Sequence, residues 1–517
     1  MLKRLAKSFG ALAAGQTLTA IGQILLVPVF LSHWSTGTFG EWMALSAVVA
    51  YLNATDLGMN AAAGNKMLAV YAKNDLGTYR VVQNSAIAFY VILAAVGTGI
   101  LGLVCALCPV SSWLGIKSIP ASTAAAVAWI LAARTLWQMP LAQVASVYRS
   151  TGNMATTQWI SNAQAVSLIV VTGGVVLTGG GVLSVAAWGT LPVGVVGGCA
   201  WLSLVRWRKN LAPNLRYARA SEFCTLLKPS LWFGIMILAI ALSVQGPVVL
   251  TSALLGGSAV ALLVTTRTLA FLLRQALGMA TAALWPELTR LEATGAGPAL
   301  RRAHRLLSAG SVALCCAFGG ALWWEGAEVI RVWTMGKLAG NDALLDLFLV
   351  SLVLQAPWVA SAAFTTATNR HKTLAQCWIA SSVVTLGTCA FLLPYVGVAA
   401  VPISTIIGEG IACYHFVIKD ACVVINEDYR RFALRLWPSL ILIWVVGLAA
   451  GRLGHAVAVG PAPLRWLEVG TITTIAVAAT AWAVAIKGSD RWALAARYRA
   501  QLPFLRRLLG KCYQAGC

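Results

Sequence analysis

Apolar runs about as long as a lipid hydrocarbon core is thick follow one another along almost the whole chain, and that recurrence restricts its fold more than any other feature. A helix needs roughly 20 apolar residues to cross a bilayer. Between charge clusters and Gly/Pro punctuation the 517 residues hold fourteen such runs, near 9–32, 41–65, 82–108, 121–148, 157–178, 182–205, 229–253, 258–284, 306–329, 343–368, 374–393, 398–418, 437–454 and 467–486. Some are joined by turns alone, such as Gly179-Gly180-Gly181 and Pro394-Tyr395-Val396-Gly397. Only 10% of residues are charged, where a soluble chain carries about 25%. So few charges cannot coat a water-facing surface, which excludes a soluble multidomain enzyme. The expected fold class is an all-α polytopic membrane protein with 14 transmembrane helices.

The net charge of +22 would suggest nucleic acid in a polar chain, but here it tracks the loops. Cytoplasmic loops retain Lys and Arg. With the N-terminus inside, 30 basic residues fall on the cytoplasmic side and five outside (Lys117, Arg331, Lys337, Arg452 and Arg465), leaving three arginines within spans. Both termini are therefore expected in the cytoplasm, and no nucleic-acid partner is expected. The largest basic clusters, 206–228 and the tail from Lys487, read as retention signals lying against anionic headgroups. The tail, with Trp492, Tyr498, Leu502 and Phe504 among its arginines, reads as an interfacial helix. The run after Lys3, Arg4 and Lys7 is too long for a secretion signal and reads as the first span.

Most of the twelve cysteines, Cys315, Cys316, Cys377, Cys389 and Cys413 among them, lie inside apolar runs and should pack as small hydrophobes. Cys105 and Cys108 form a CxxC, but no βαβ pattern surrounds it. Five scattered histidines give no metal-ligand spacing. Neither metal nor cofactor is expected.

Landmarks repeat at a nearly constant offset. Gly37 and Leu57-Gly58-Met59 return as Gly257 and Leu277-Gly278-Met279, 220 residues on, and Trp159-Ile160 returns as Trp378-Ile379 after 219. Six spans separate equivalent points, an even number, so the halves enter the membrane from the same side and should be related by an axis along the membrane normal. The expected organisation is an N-lobe over 1–228 (helices 1–6 and a basic connector), a C-lobe over 229–430 (helices 7–12), and helices 13–14 with a basic tail over 431–517.

Polar groups within the spans mark the candidate site. A charge at a helix centre costs about 2.5–3.5 kcal/mol on the insertion scale, so Arg134, Arg267 and Arg274 should face a wet cavity or a partner. Arg267 and Arg274 are seven residues apart, on one face of the eighth span with Gln275 and Gly278. Arg134 shares a face with Gln138. The second span carries Asn53, Asp56 and Asn60, and the first carries Gln16, Thr19 and Gln23, each as a polar stripe. Glu409 with Thr405 lies in the twelfth. Interhelical hydrogen bonds or an Arg–Asp pair are the plain structural alternative for any one of these. Together, three cations against two carboxylates favour an anionic cargo, since the planar fork of arginine suits phosphate oxygens.

At these residues the sequence resembles the Wzx-type oligosaccharide flippases of bacterial O-antigen and exopolysaccharide pathways, within the superfamily that also holds lipid II flippases and multidrug extruders. The resemblance runs from about residue 10 to 420 and rests on the order of several segments: Leu25–Leu31 with Phe39-Gly40-Glu41-Trp42, 51–58, Thr266-Arg267-Thr268-Leu269, 284–291, Arg331-Val332-Trp333 and Asn369-Arg370-His371. It implies two six-helix lobes around a central cavity lined by helices 1, 2, 7 and 8, in the bacterial inner membrane. It also implies a cargo of undecaprenyl-pyrophosphate-linked oligosaccharide, moved to the periplasmic leaflet for surface polysaccharide synthesis, with a polysaccharide polymerase and export proteins as partners. Arg267, Arg274 and Arg134, with Gln275 and Asn53, would hold substrate. Asp56 and Glu409 are the candidates for coupling to H⁺ or Na⁺. The alternative is a multidrug or metabolite cation antiporter of the same architecture, which would want an acidic cavity. An integral-membrane glycan polymerase or ligase is disfavoured, because the longest outer segment is around a dozen residues and no acid–base pair is clustered.

Overall fold

A computed structural model describes residues 2–368 and 372–485. Its helices are α1 (Leu2–His33), α2 (Thr36–Ala50), α3 (Met59–Ala72), α4 (Leu76–Leu107), α5 (Val110–Trp113), α6 (Ala121–Ser150), α7 (Met154–Leu177), α8 (Val182–Trp188), α9 (Leu191–Trp207), α10 (Ala220–Leu255), α11 (Gly257–Ala293), α12 (Gly297–Trp333), α13 (Asp342–Ala367), α14 (Lys372–Val396), α15 (Ala400–Ala412), α16 (Phe416–Val424), α17 (Tyr429–Val457) and α18 (Ala462–Val484). The chain is an all-helical, multi-pass membrane protein. The motif Asn369-Arg370-His371 and the interfacial helix expected after Lys487 lie outside the described residues.

Eleven helical segments among the described residues are long and apolar enough to cross a membrane, against fourteen expected, and three places account for the difference. The second run is not one helix: α2 ends at Ala50, a 3₁₀ turn occupies Tyr51–Asp56, and α3 starts at Met59. The fourth run forms the 30-residue α6, whose Arg134, Gln138, Gln143 and Arg149 reduce its apolarity. The eleventh and twelfth runs form one apolar stretch, Lys372–Ala412, which turns at Gly397–Ala399 into α14 and α15 packed on each other.

The chain divides into two compact units. The first comprises Met1–Ala283, Ala327–Ser351 and Lys372–His415. In it, small residues set the helix contacts, because helices in lipid associate by close packing rather than by hydrophobicity. A Cβ at Gly15 would lie 2.4 Å from the Asn162 side chain, and one at Gly22 would lie 2.4 Å from Ile169. Both pairs have the same separation in sequence, so α1 and α7 are locked in a single register. This side of α1 also carries Ala11, whose carbonyl accepts from Asn162 Nδ2 at 2.8 Å. The connector at 206–228 is pinned to α4 by three consecutive buried polar side chains. Gln83 donates to Leu211 O, Asn84 accepts from the Asn214 amide, and Ser85 accepts from the Arg219 amide.

The second unit comprises Leu284–Gly326, Leu352–His371 and Phe416–Cys517. There α17 meets α12 backbone to backbone: a Cβ at Gly451 would lie 2.1 Å from Gly320 O, and one at Gly447 would lie 2.8 Å from Cys316 O. Glu325 of α12 is buried, accepting from Arg465 Nε at 3.1 Å and bonded to His455 Nδ1 at 2.6 Å, so α17 and α18 are both tied to α12. Glu325 is thus an internal ion-pair residue. Gly451→Leu should separate α17 from α12 and cut detergent-solubilised protein by overpacking of about 1–3 kcal/mol or more. Thermal unfolding in detergent measures it, with Gly470→Leu, at a position where an added Cβ meets nothing within 4 Å, as the control. Cys315, Cys316, Cys377, Cys389 and Cys413 are buried, as their positions suggested, whereas Cys199, also within an apolar run, is exposed.

Candidate translocation site

The first unit holds most of the intramembrane polar groups, and the break in the second run organises them. Leu57 and Gly58 adopt left-handed backbone angles (φ 50° and 73°) between the 3₁₀ turn and α3. Backbone broken inside an apolar stretch is tolerated where protein groups or a wet cavity complete its hydrogen bonds. Asp56 does so here: its Oδ1 accepts from the Asn60 amide in the first turn of α3 at 3.2 Å, and also from the Tyr90 hydroxyl. Arg149 Nη2 donates to Asn60 O at 3.2 Å, lying where a Cβ on Gly64 would come within 1.7 Å. At Gly234 a Cβ would sit 3.0 Å from Leu57 Cα, so α10 passes the break at backbone distance.

The expected continuous stripe of Asn53, Asp56 and Asn60 is therefore divided. Asn53 is exposed and spends its amide on Ala50 O, while Asp56 is held by Tyr90 and the α3 terminus. A helical wheel assumes an unbroken helix, and the turn at 57–58 rotates every residue of α3 away from that register.

On α11 the expected grouping is present. Arg267 and Arg274 flank Phe271, each guanidinium 5.5 Å from the ring centroid. Arg267 Nη1 donates to Val244 O on α10 at 2.6 Å. Gln275 Nε2 donates to Gln23 Oε1 of α1 at 2.9 Å. Gln16, Thr19 and Gln23 are all exposed, since α7 covers the opposite, small-residue side of α1. Glu409 is buried in α15. Arg134 is placed on the contact between α6 and α8, its Nη1 2.9 Å from where a Gly189 Cβ would be. Tyr90, Arg149 and Phe271 belong to this region and carried no sequence signal, being an ordinary tyrosine, a loop-end base and a span aromatic.

The second unit contains a different polar cluster. His304, Cys422 and Glu427 bring ligand-type atoms within 4.8 Å of one another, a trio that no sequence spacing discloses. Both imidazole nitrogens already have partners, Glu427 at 3.0 Å and Ser361 at 2.9 Å, and Arg305 shares the carboxylate at 3.0 Å. The ring stacks on Phe432 at 4.5 Å. The trio therefore works as a clamp between α12, α13 and the turn before α17. Burial raises the Glu427 carboxyl, but the hydrogen bonds and charges of His304 and Arg305 outweigh it and hold the group below its usual range. A carboxyl depressed on folding stabilises above its unfolded pKa, about 4.3, and that stability is lost as pH falls through the folded value. Glu427→Gln should lower stability near neutrality by about 1.5–3 kcal/mol and flatten the acid limb. A pH series of melting temperatures measures both.

The fold defined by these helices is one shared by polytopic transporters. No family model matches the chain, and no curated protein matches it either. Among solved structures it is similar to an inward-facing multidrug-resistance MATE family transporter of the MOP superfamily (TM-score 0.63, 16% identity, covering 81% of this chain and 94% of that one). It is also similar to the lipid II flippase MurJ in an inward closed conformation (TM-score 0.64, 10% identity, 91% and 98% covered). A third is a MOP superfamily transporter from Pyrococcus furiosus, described as having a binding pocket of reversed polarity that suggests a different function (TM-score 0.54, 15% identity, 82% and 96% covered). At these identities the likeness is one of fold.

Proposed function

We propose that the protein is a flippase that moves an undecaprenyl-pyrophosphate-linked oligosaccharide from the cytoplasmic to the periplasmic leaflet of a bacterial inner membrane, for surface polysaccharide synthesis. The observation that carries this reading is the pair Arg267 and Arg274 bracketing Phe271 on α11, beside the exposed amides of α1. Two guanidiniums seven residues apart suit a diphosphate, and exposed Gln16, Gln23 and Asn53 offer the adaptable hydrogen bonds a glycan needs. The cation antiporter of the same fold would require a net acidic site, and these arginines disfavour it. Transport consists of binding and rocking between two states, with no bond made or broken. An inside-negative potential helps, since one negative charge moving outward gains about 2.3 kcal/mol per 100 mV. Ion coupling is then an addition, with Asp56, bonded to the Tyr90 hydroxyl, and buried Glu409 as its candidate groups.

The reading is tested in proteoliposomes by the appearance of fluorescent polyprenyl-pyrophosphate oligosaccharide in the far leaflet, with ethidium efflux measured in parallel. Glycolipid movement without ethidium efflux supports it. Ethidium efflux without glycolipid movement replaces it with the antiporter.

A further inference from the structure

The second unit contains a cavity of about 430 Å³ between α12 and α17, lined also by the turn at 426–428. None of its lining residues belongs to the candidate translocation site. Arg301 and Arg305 on α12 face into it one turn apart, and Arg431 and Arg435 repeat the spacing on α17. Against these four guanidiniums the lining offers two carboxylates, Glu427 and Asp428. Glu427 is committed to His304 and Arg305, and Asp428 caps α17 by accepting the Arg431 amide at 2.7 Å.

Further in, the wall turns apolar, through Ala309 and Val312 on one side and Leu440 and Ile443 on the other. From Arg301 to Val312 the rise is about 16 Å, half of a hydrocarbon core of about 30 Å. The cavity therefore spans one leaflet, cationic where the helices leave the membrane and apolar toward its middle. Just below the arginines lies Ser308, 1% exposed, whose hydroxyl has no hydrogen-bond partner among the described residues. In a phospholipid the glycerol ester oxygens occupy that level, directly beneath the phosphate.

We propose that this cavity holds one anionic phospholipid from the leaflet on the basic face, its phosphate among Arg301, Arg305, Arg431 and Arg435, an ester oxygen on Ser308, and an acyl chain along Val312, Leu440 and Ile443. The lipid fastens α17 to α12 and is a resident of the protein, separate from the transported cargo.

The full-length protein in a mild detergent is titrated with phosphatidylglycerol or phosphatidylcholine of the same acyl composition, and bound lipid is counted by native mass spectrometry. The wild type should retain one phosphatidylglycerol in preference to phosphatidylcholine. Arg301→Gln with Arg431→Gln should weaken that binding about thirtyfold, taking about 1 kcal/mol for each surface charge. Ala309→Phe fills the apolar wall with all four arginines intact and should also displace the lipid, so the test survives if the double variant fails to fold. Equal phosphatidylglycerol retention by wild type and both variants overturns the site. Displacement of the bound lipid by undecaprenyl phosphate at equimolar concentration overturns the phospholipid assignment and gives the cavity to the carrier lipid.

Discussion

Replacing Arg267 and Arg274 together with alanine is expected to lower glycolipid movement by at least about a hundredfold, since each charge-assisted hydrogen bond to a phosphate contributes about 1.5–3 kcal/mol. The two arginines should not be equivalent. Arg267 already gives one donor to Val244 O at 2.6 Å, so its removal also loosens α11 from α10 and should reduce the amount of folded protein. Arg274→Ala removes the second guanidinium beside Phe271, and its loss is read as transport per unit of protein in the membrane. Lysine at either position should recover part of the activity, because it keeps the charge and loses the fork. Phe271 holds the guanidiniums apart by cation–π contact at 5.5 Å on each side. Phe271→Leu should therefore reduce affinity while leaving the maximal rate closer to normal. Surface glycan in a strain carrying only the variant, normalised to protein in the membrane, is the measurement. Normal output from both single alanine variants at normal abundance would sink the diphosphate clamp.

The legibility of each feature in the sequence depends on the physics of its signal. Hydropathy is a sum over some twenty residues, so it found the eleven long apolar helical segments and the membrane class. It could not register a break only a few residues long, and Leu57-Gly58 passed as part of a continuous second span. The 220-residue repeat even pairs those residues with Leu277-Gly278, yet α11 runs unbroken through them. The difference lies in the surroundings: Gly234 of α10 presses on Leu57, whereas a Cβ on Gly278 would meet nothing. Periodicity placed Arg267, Arg274 and Gln275 together because α11 is a regular helix there. It failed for Asn53 and Asp56 because their helix is not. The partners Tyr90, Arg149 and Gln23 come from other helices, and no single-sequence pattern reports contacts across lipid-embedded interfaces.

The largest structural effect is expected at Gly40. A Cβ there would fall 1.7 Å from Gly257 O and 2.5 Å from Gly257 C, backbone atoms that no rotamer change can move aside. Gly257 is in turn pressed on Gly37 O, 2.5 Å from its own missing Cβ, so the first residues of α2 and α11 are in backbone contact on the face opposite the basic loops. The neighbouring residue strengthens this closure. Buried Glu41 accepts the amides of Lys117, Ser118 and Ile119 at 2.7–2.9 Å, fixing the segment before α6, and Ser252 Oγ donates to Leu114 O at 2.6 Å. Gly40→Leu must drive these ends apart. In a protein that alternates between two states, a residue that penalises only one shifts the population toward the other by that penalty. Overpacking of about 1–3 kcal/mol corresponds to a shift of roughly five- to 150-fold. Spin labels at Ser35 and the exposed Ser258, in a background freed of native cysteines, should give a longer distance in Gly40→Leu than in the parent, with Gly40→Ala between them. Glycolipid transport should fall with it, because a carrier that cannot close this face cannot complete its cycle. Unaltered label distances in a folded Gly40→Leu protein would mean that the α2–α11 contact yields locally and gates nothing.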